Sequence, residues 1–366
     1  MISFALHKNL ELRELDIPTV FLNGELEQDI YIKKLQVEDC ESEVLKFNRA
    51  LYGLIGAPRC WNQRFHAFAT KSGFKHSARD VCLYRKNNLN LIIFVDDISL
   101  FGTEREIDFV CSLKNEINAK DLGLLNSFLG MNIVKNEDNI TISQQQMIED
   151  ILQKFNMDRC KGMQTPMAHD AVPYSAGEIV NVPFRQLIGC LMYLCMVSRP
   201  DIMFATSYLR RFLDRPTNCL WSAAKRILRY LSLTKNHVLV LKKNQQNLIA
   251  FTDRKSTSGS AVFYTSNLVS WQSVKRQTVA LSTAEAKYVA ALLTTSEVLH
   301  LHSLLQSVSA AEIVPVFYCD NQSAIHIPIP PSTHSTPSQT SQAWTAYPTL
   351  FSSTPSEASH CCFLFP

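Results

Sequence analysis

Two adjacent carboxylates, Asp96 and Asp97, interrupt an otherwise apolar run in LIIFVDDISLF (91–101). Ile, Val and Phe on both sides predict strand–turn–strand, with the acids at the tip. Like charges that close raise each other's pKa unless a cation neutralises them. A third acid, Asp16, lies in LDIPTVFLNG, with Phe21 shortly after it. If Asp16 ends a strand beside the hairpin, three carboxylates converge. That is enough hard oxygen for two Mg²⁺ ions and for in-line phosphoryl transfer. Taken alone, Asp96–Asp97 fits an ordinary Asx-type turn better than a metal site.

The remaining chemistry is sparser. Lys225, Arg226 and Arg229 share one face of a helical pattern with Trp221, and Arg210 and Arg211 end the preceding one. They could track phosphates along a nucleic-acid strand or simply form a solvated face. Arg254, Lys255, Lys275 and Arg276 could extend that surface. His300 and His302 have no nucleophile motif around them, and no G-x-x-x-x-G-K loop occurs. The eleven cysteines form no C-x-x-C pair and read as reduced thiols. A net charge of +3 leaves any polyanion to local Lys/Arg clusters. The charged first dozen residues do not form a signal peptide, and no stretch approaches a membrane span, so an intracellular protein without membrane contact is expected.

The elements that must position these groups can be read from periodicity. LNSFLGMNIVKNEDNITISQ (125–144) predicts a hairpin, and 145–156 a helix with Met147, Ile148, Ile151, Leu152 and Phe155 on one face. Pro166, Pro173 and Pro183 mark a linker. Residues 184–234 are helical. HVLVLKK, NLIAFTD, GSAVFYTSNLVSWQS and TVALS are strands, followed by a helix over 284–306 and the strand VPVFYCD. From Ile327 onward Ser, Thr and Pro dominate and disorder is expected.

Several blocks resemble copia-type retrotransposon Pol polyproteins, in the family's order from Leu15 to Ile325. LDIPTVFLNGELEQDIYI resembles DVKTAFLNG with the E-x-x-I-Y-M that follows. ALYGLIGAPRCW resembles LYGLKQAPRxW, and LIIFVDDISLFG resembles LLYVDDxLIxG. KDLGLLNSFLGMNI resembles DLGxxxxFLGxxI, and IGCLMYLCMVSRPDIMFA resembles IGSLMYLxxxTRPDIxxA. RKSTSGSAVFYTSNLVSWQSVKRQTVALSTAEAKYVA and YCDNQSAI resemble the family's ribonuclease H region. The resemblance implies an RNA-directed DNA polymerase with Asp16, Asp96 and Asp97 as Mg²⁺-binding catalytic acids. It implies that Phe21 excludes a ribose 2′-hydroxyl, that Gly53, Ala57 and Pro58 shape the nucleotide pocket, and that Phe128, Leu129 and Gly130 form the primer grip. For Phe21 and Phe128, core packing is the alternative. The implied partners are an RNA template, a DNA primer, their RNA–DNA hybrid, dNTP and other parts of the polyprotein. The implied location is a cytoplasmic virus-like particle or the nucleus.

The departures from the pattern point to decay. The fifteen residues before Asp16 contain no block like the family's basic KARLVAKG. The family's Lys-Gln pair is Ile55–Gly56 here. IAFTD runs directly into RKSTSG, so Asp253 stands where either a catalytic or a later acid would be, and the first hairpin is expected to be too short to form as in the family. The ribonuclease H helix carries Lys287 at the implied ligand position, and Glu285 is about 200° around the helix. After Asp320, the third implied ligand, the text changes abruptly, as after a frameshift. The expected fold is α/β (α+β): a reverse-transcriptase palm without fingers (1–160), a helical thumb or connection (161–236), an incomplete ribonuclease H-like domain (237–326) and a disordered tail (327–366). The expected function is templated dNTP addition with ribonuclease H activity lost. A catalytically dead remnant and a non-catalytic primer–template-binding module remain alternatives.

Overall fold

A computed structural model describes residues 1–33, 44–107, 114–168, 177–254, 257–275, 283–309, 313–319 and 351–352. Two compact units are present. The smaller comprises residues 8–125 and 303–310, and the larger comprises residues 1–7, 126–302 and 311–366. No described helix is long and apolar enough to cross a membrane.

The smaller unit is built on an antiparallel sheet. Its strands are β1 (Glu11–Asp16), β2 (Lys75–His76), β3 (Leu83–Lys86), β4 (Leu89–Phe94), β5 (Asp97–Gly102) and β6 (Lys120–Leu124), in the order β2-β3-β4-β5-β1-β6. Strand β5 is buried from Ile98 to Gly102 because it lies inside the sheet. Helix α1 (Ala57–Lys71) packs with Ala57, Cys60, Trp61, Phe65 and Phe68 inward, a helical spacing that makes one apolar stripe. These rings join Leu15, Ile17, Tyr84, Leu91 and Ile98 in one core. Each such side chain contributes roughly 1.5–3 kcal/mol by leaving water.

The larger unit has a helical layer and two sheets. Strands β7 (Ser127–Phe128), β8 (Met131–Lys135) and β9 (Asn139–Ser143) form the hairpin region, followed by α2 (Gln145–Lys154), α3 (Phe184–Val197), α4 (Met203–Leu209) and α5 (Asn218–Leu233). Strand β10 (Leu239–Lys242) pairs with β9, from Asn139↔Lys242 to Ile142↔Leu239. In the middle of the chain the compact units meet at 125/126. The hairpin 127–143 completes a sheet with a strand about one hundred residues away, a long-range pairing that local pattern does not encode. Thr217 caps α5 by accepting from the Leu220 N–H at 3.3 Å.

The second sheet contains β11 (Leu248–Arg254), β12 (Thr257–Tyr264), β13 (Asn267–Lys275), β14 (Pro315–Cys319) and β15 (Phe351–Ser352), with helix α6 (Thr283–Val308) between β13 and β14. The order is β13-β12-β11-β14-β15, antiparallel through β11 and parallel from β11 to β15. The β11–β12 hairpin pairs from Leu248↔Tyr264 to Arg254↔Ser258. The ladder thus runs across the shortened joint, with β11 before it and β12 after it. Phe351–Ser352, within the stretch expected to be disordered, pairs with Phe317 and Tyr318, where β14 offers a strand edge. The expected strand TVALS and the rest of the tail lie outside the described residues.

One buried ion pair organises the helical layer. Arg199, 2% exposed, donates from Nη2 to Asp201 Oδ2 at 2.7 Å and from Nε to Asp201 Oδ1 at 3.0 Å. It also donates to the Thr234 carbonyl at 3.1 Å and to Thr234 Oγ1 at 2.6 Å, while the Tyr230 hydroxyl donates to Asp201 Oδ2 at 2.7 Å. Burial pushes the Asp201 carboxyl up, but the Arg199 hydrogen bonds and charge and the Tyr230 hydroxyl more than offset this, and the net direction is down. Arg199→Met leaves that carboxylate without its cation. The expected loss is about 3 kcal/mol, the lower end for breaking a buried pair, because the Asp201 side chain keeps 30% exposure. A group with a lowered folded pKa contributes stability above about pH 4 and loses it as pH falls through the folded value. The gap in urea midpoint between wild type and variant therefore narrows from pH 7 to pH 3.

Candidate active site

Asp16 is the last residue of β1 and Asp97 the first of β5, and the antiparallel register sets them directly opposite each other. The Ile17 N–H donates to the Asp96 carbonyl at 3.0 Å, which closes the ladder against the turn. The next pair inward, Leu15↔Ile98, points to the other face and is fully buried. Alternation thus presents acids on one face and anchors the strands by the other. The β4–β5 turn is only Val95–Asp96, since Phe94 pairs with Asp97. Val95 has φ of 58°, a left-handed conformation costly for a β-branched residue. Its carbonyl accepts from Trp61 Nε1 at 2.8 Å, which fastens the turn to α1. On its other side Asp16 is opposite Lys120 of β6.

Charge is concentrated here. Burial pushes the Asp97 carboxyl up, and the charges of Asp96 and Asp16 push it further. Glu14, two residues before Asp16 and 7% exposed, is raised by burial, then by Asp97 and Asp16. The Tyr52 phenol is raised by burial, then by Asp96 and Asp16. Among the described residues, no three His, Cys, Asp or Glu side chains already form a ligand set for an ion. Asp16, Asp96 and Asp97 have the right donor type and adjoining backbone positions for one.

Phe21 sits on a short 3₁₀ turn, Val20–Asn23, 8% exposed, with its ring edge-to-face on Tyr52 at 4.4 Å. It is both a core residue and a neighbour of the acids' surroundings. Gly53 has φ of 99°, and a Cβ there would meet nothing within 4 Å. Its role in the fold is thus conformational, and it leaves open space. Ala57 is buried and Pro58 exposed in the first turn of α1. Sequence reasoning missed Glu14, Tyr52 and Trp61. A signal existed for each: Glu14 shares a strand face with Asp16, Tyr52 precedes Gly53, and Trp61 lies one helical turn from Ala57 and Pro58.

The other candidates belong to the larger unit. Leu129 (φ 48°) and Gly130 (φ 70°) form the two-residue turn between Phe128 and Met131, and the Leu129 carbonyl accepts from the Tyr193 hydroxyl. Asp253 lies on β11 opposite Gly259. Lys287 is in α6, its side chain outside the described residues, as is Asp320 altogether. Arg226 donates to Thr165 Oγ1 at 2.8 Å and Arg229 to the Lys161 carbonyl at 2.7 Å, so both fasten the 161–165 segment. The simple solvated face is corrected on that point. Lys225 lies over the Trp221 ring at 5.3 Å. Arg211 donates to Thr257 Oγ1 at 3.2 Å and stacks over Tyr208 at 5.1 Å, and burial lowers its pKa.

Comparison with known proteins bears on residues 1–169, which match the family described as reverse transcriptase (RNA-dependent DNA polymerase). The chain is 34% identical over 359 residues to the retrovirus-related Pol polyprotein from transposon TNT 1-94 of Nicotiana tabacum, covering 89% of this chain and 27% of that one. It is 32% identical over 358 residues to the Pol polyprotein from transposon RE1 of Arabidopsis thaliana, covering 92% and 24%. An uncharacterized mitochondrial protein of Arabidopsis thaliana is 32% identical over 226 residues, 57% of this chain and 92% of that one. The chain spans about a quarter of the length of the Pol polyproteins it matches.

Glu14 provides a test of the electrostatics that leaves the three aspartates intact. An acid with a raised folded pKa contributes stability below its unfolded value, near pH 4.3, and loses it as pH rises through the folded value. Glu14→Gln is therefore expected to unfold at higher urea than wild type at pH 7 in chelator, with the difference vanishing near pH 4. Equal midpoints at pH 7 would mean that burial, Asp97 and Asp16 together do not raise the Glu14 carboxyl.

Proposed function

We propose, on the match of residues 1–169 to the reverse transcriptase family, that the smaller unit is a polymerase palm that adds deoxynucleotides to a primer end on an RNA template. One observation carries the reading: Asp16 and Asp97 are cross-strand partners at the tip of the hairpin that also bears Asp96. Carboxylate oxygens are the donors Mg²⁺ prefers, and Asp97 and Glu14 are both raised by burial first and then by neighbouring acids. Asp16 and Asp96 would hold two ions and Asp97 would complete the site. Bound Mg²⁺ would supply an activated primer 3′-hydroxyl and charge neutralisation for the departing pyrophosphate.

The chain's own residues supply position. The ladder and the Trp61 hydrogen bond fix where the acids stand. Phe21, held by the core and by Tyr52, would exclude a ribose 2′-hydroxyl. The open space at Gly53, with Ala57 and Pro58 beyond it, would let the nucleotide approach the backbone. In the larger unit, Phe128, Leu129 and Gly130 would grip the primer, and Arg211, Lys225, Arg226 and Arg229 would contact the hybrid.

The sheet order β13-β12-β11-β14-β15, with α6 between β13 and β14, supports reading residues 237–326 as ribonuclease H-like. Asp253 and Asp320 would be its surviving acids. Lys287 would repel the ions that the site requires, and hybrid cleavage is read as lost. The helices of residues 161–236 are read as the thumb or connection. A second reading, a catalytically silent remnant, draws on Lys287 and on Ile55–Gly56, where the family pattern has Lys-Gln.

Primer extension on an RNA template separates the two. The purified chain is expected to extend a DNA primer only with Mg²⁺ or Mn²⁺, and Asp96→Asn is expected to lower the rate by about a hundredfold or more. No metal-dependent product from the unaltered chain would leave the silent remnant standing. Phe21→Ala is expected to admit ribonucleotides, read as a rise in rNTP over dNTP incorporation at little cost in dNTP rate.

A further inference from the structure

A cleft of about 520 Å³ opens in the smaller unit, at the β2–β3 edge of its sheet. Lys75, His76, Arg85 and Lys86 line it, with Ser307, and no Asp or Glu is among its lining residues. The β2–β3 register places Lys75 directly opposite Arg85. Like charges opposed across a ladder destabilise it unless an anion lies between them. The Arg85 guanidinium is already aimed: Nε donates to the Asn87 carbonyl at 2.8 Å and Nη1 to the Ser307 carbonyl at 3.1 Å. Lys86 Nζ donates to the Ser72 carbonyl at 2.8 Å, which holds its ammonium at the wall. Lys75 and His76 are exposed.

We propose that this cleft binds a backbone phosphate of the template–primer, at a site separate from the carboxylates. The inference rests on the polymerase reading for the identity of the strand, and on the cleft alone for the anion. A concave wall of one charge sign concentrates a polyanion, and a guanidinium with two donors already fixed presents the rest of its fork toward a phosphate at small entropic cost. Strand β4 runs from Leu89, beside the cleft hairpin, to Phe94, beside the acidic turn. That is roughly 17 Å at the rise of an extended strand, the span of about five nucleotides at 3.4 Å per step. The cleft is thus a second hold on the strand whose end reacts at Asp16, Asp96 and Asp97.

The test is the salt dependence of binding of an RNA–DNA hybrid to the full chain, with Lys75→Gln, Lys75→Gln/Lys86→Gln and the charge-keeping Lys75→Arg compared with wild type. Lys75 is exposed, so its variants are expected to fold, and circular dichroism and the urea midpoint check this. Each lost phosphate contact is expected to reduce the slope of log K against log salt by about 0.9. The single variant should lose about one unit, the double about two, and Lys75→Arg none. Unchanged slopes with normal wild-type binding overturn the cleft site and leave the polymerase reading standing. Saturable, Lys75-dependent binding of inorganic phosphate without hybrid binding overturns the strand as ligand. Binding of neither probe overturns the anion site itself, whatever primer extension shows.

Discussion

The account depends on forced proximity between like charges. An antiparallel register sets Asp16 against Asp97, and a two-residue turn sets Asp96 beside them. Separated in water, these carboxylates would avoid one another. The energy that keeps them together comes from elsewhere: Leu15 and Ile98 buried on the opposite face, Trp61 hydrogen-bonded to the strained turn, and the aromatic core of α1 behind it. Burial, and then the charges of Asp96 and Asp16, push the Asp97 carboxyl up, and a cation beside it would relieve that pressure. The proposed nucleotidyl transfer would use such ions beside developing negative charge.

The larger unit solves the opposite problem. Arg199 and Asp201 are unlike charges taken out of water, and their desolvation is offset only because nearly every donor and acceptor is matched, by Thr234 and Tyr230 as well as by each other. This network ties the turn after α3 to the end of α5. It is a structural use of ionisable groups, whereas Asp97 is set beside like charges, those of Asp96 and Asp16. The contrast helps to separate scaffold from site where both consist of the same residue types.

Much of this was legible from sequence. The apolar runs on both sides of Asp96–Asp97 in LIIFVDDISLF are enough for the hairpin, and the condition that Asp16 end a neighbouring strand could be stated before the register was known. The helical spacing over 184–234 and the strand series after 237 likewise follow from period. What was not legible depends on partners far apart in the chain. The β9–β10 pairing joins the hairpin 127–143 to a strand that follows the helices. Arg226 and Arg229 looked like surface charge because the segment they fasten, 161–165, has no pattern of its own. Glu14 and Tyr52 became visible only once the ladder and the Phe21–Tyr52 contact placed them in the field of Asp16 and its neighbours. The ladder of Leu248–Arg254 with Ser258–Tyr264 spans the shortened joint after Asp253, a pairing of matched lengths on either side of a turn.

The central claim is that three carboxylates share bound divalent ions, and Mn²⁺ titration followed by electron paramagnetic resonance reads this without requiring turnover. The account predicts saturable Mn²⁺ binding to the purified chain, competed by Mg²⁺, that is lost or strongly weakened in Asp16→Asn and in Asp96→Asn alike. Mn²⁺ binding that is absent from the wild type, or that survives both substitutions unchanged, would contradict it.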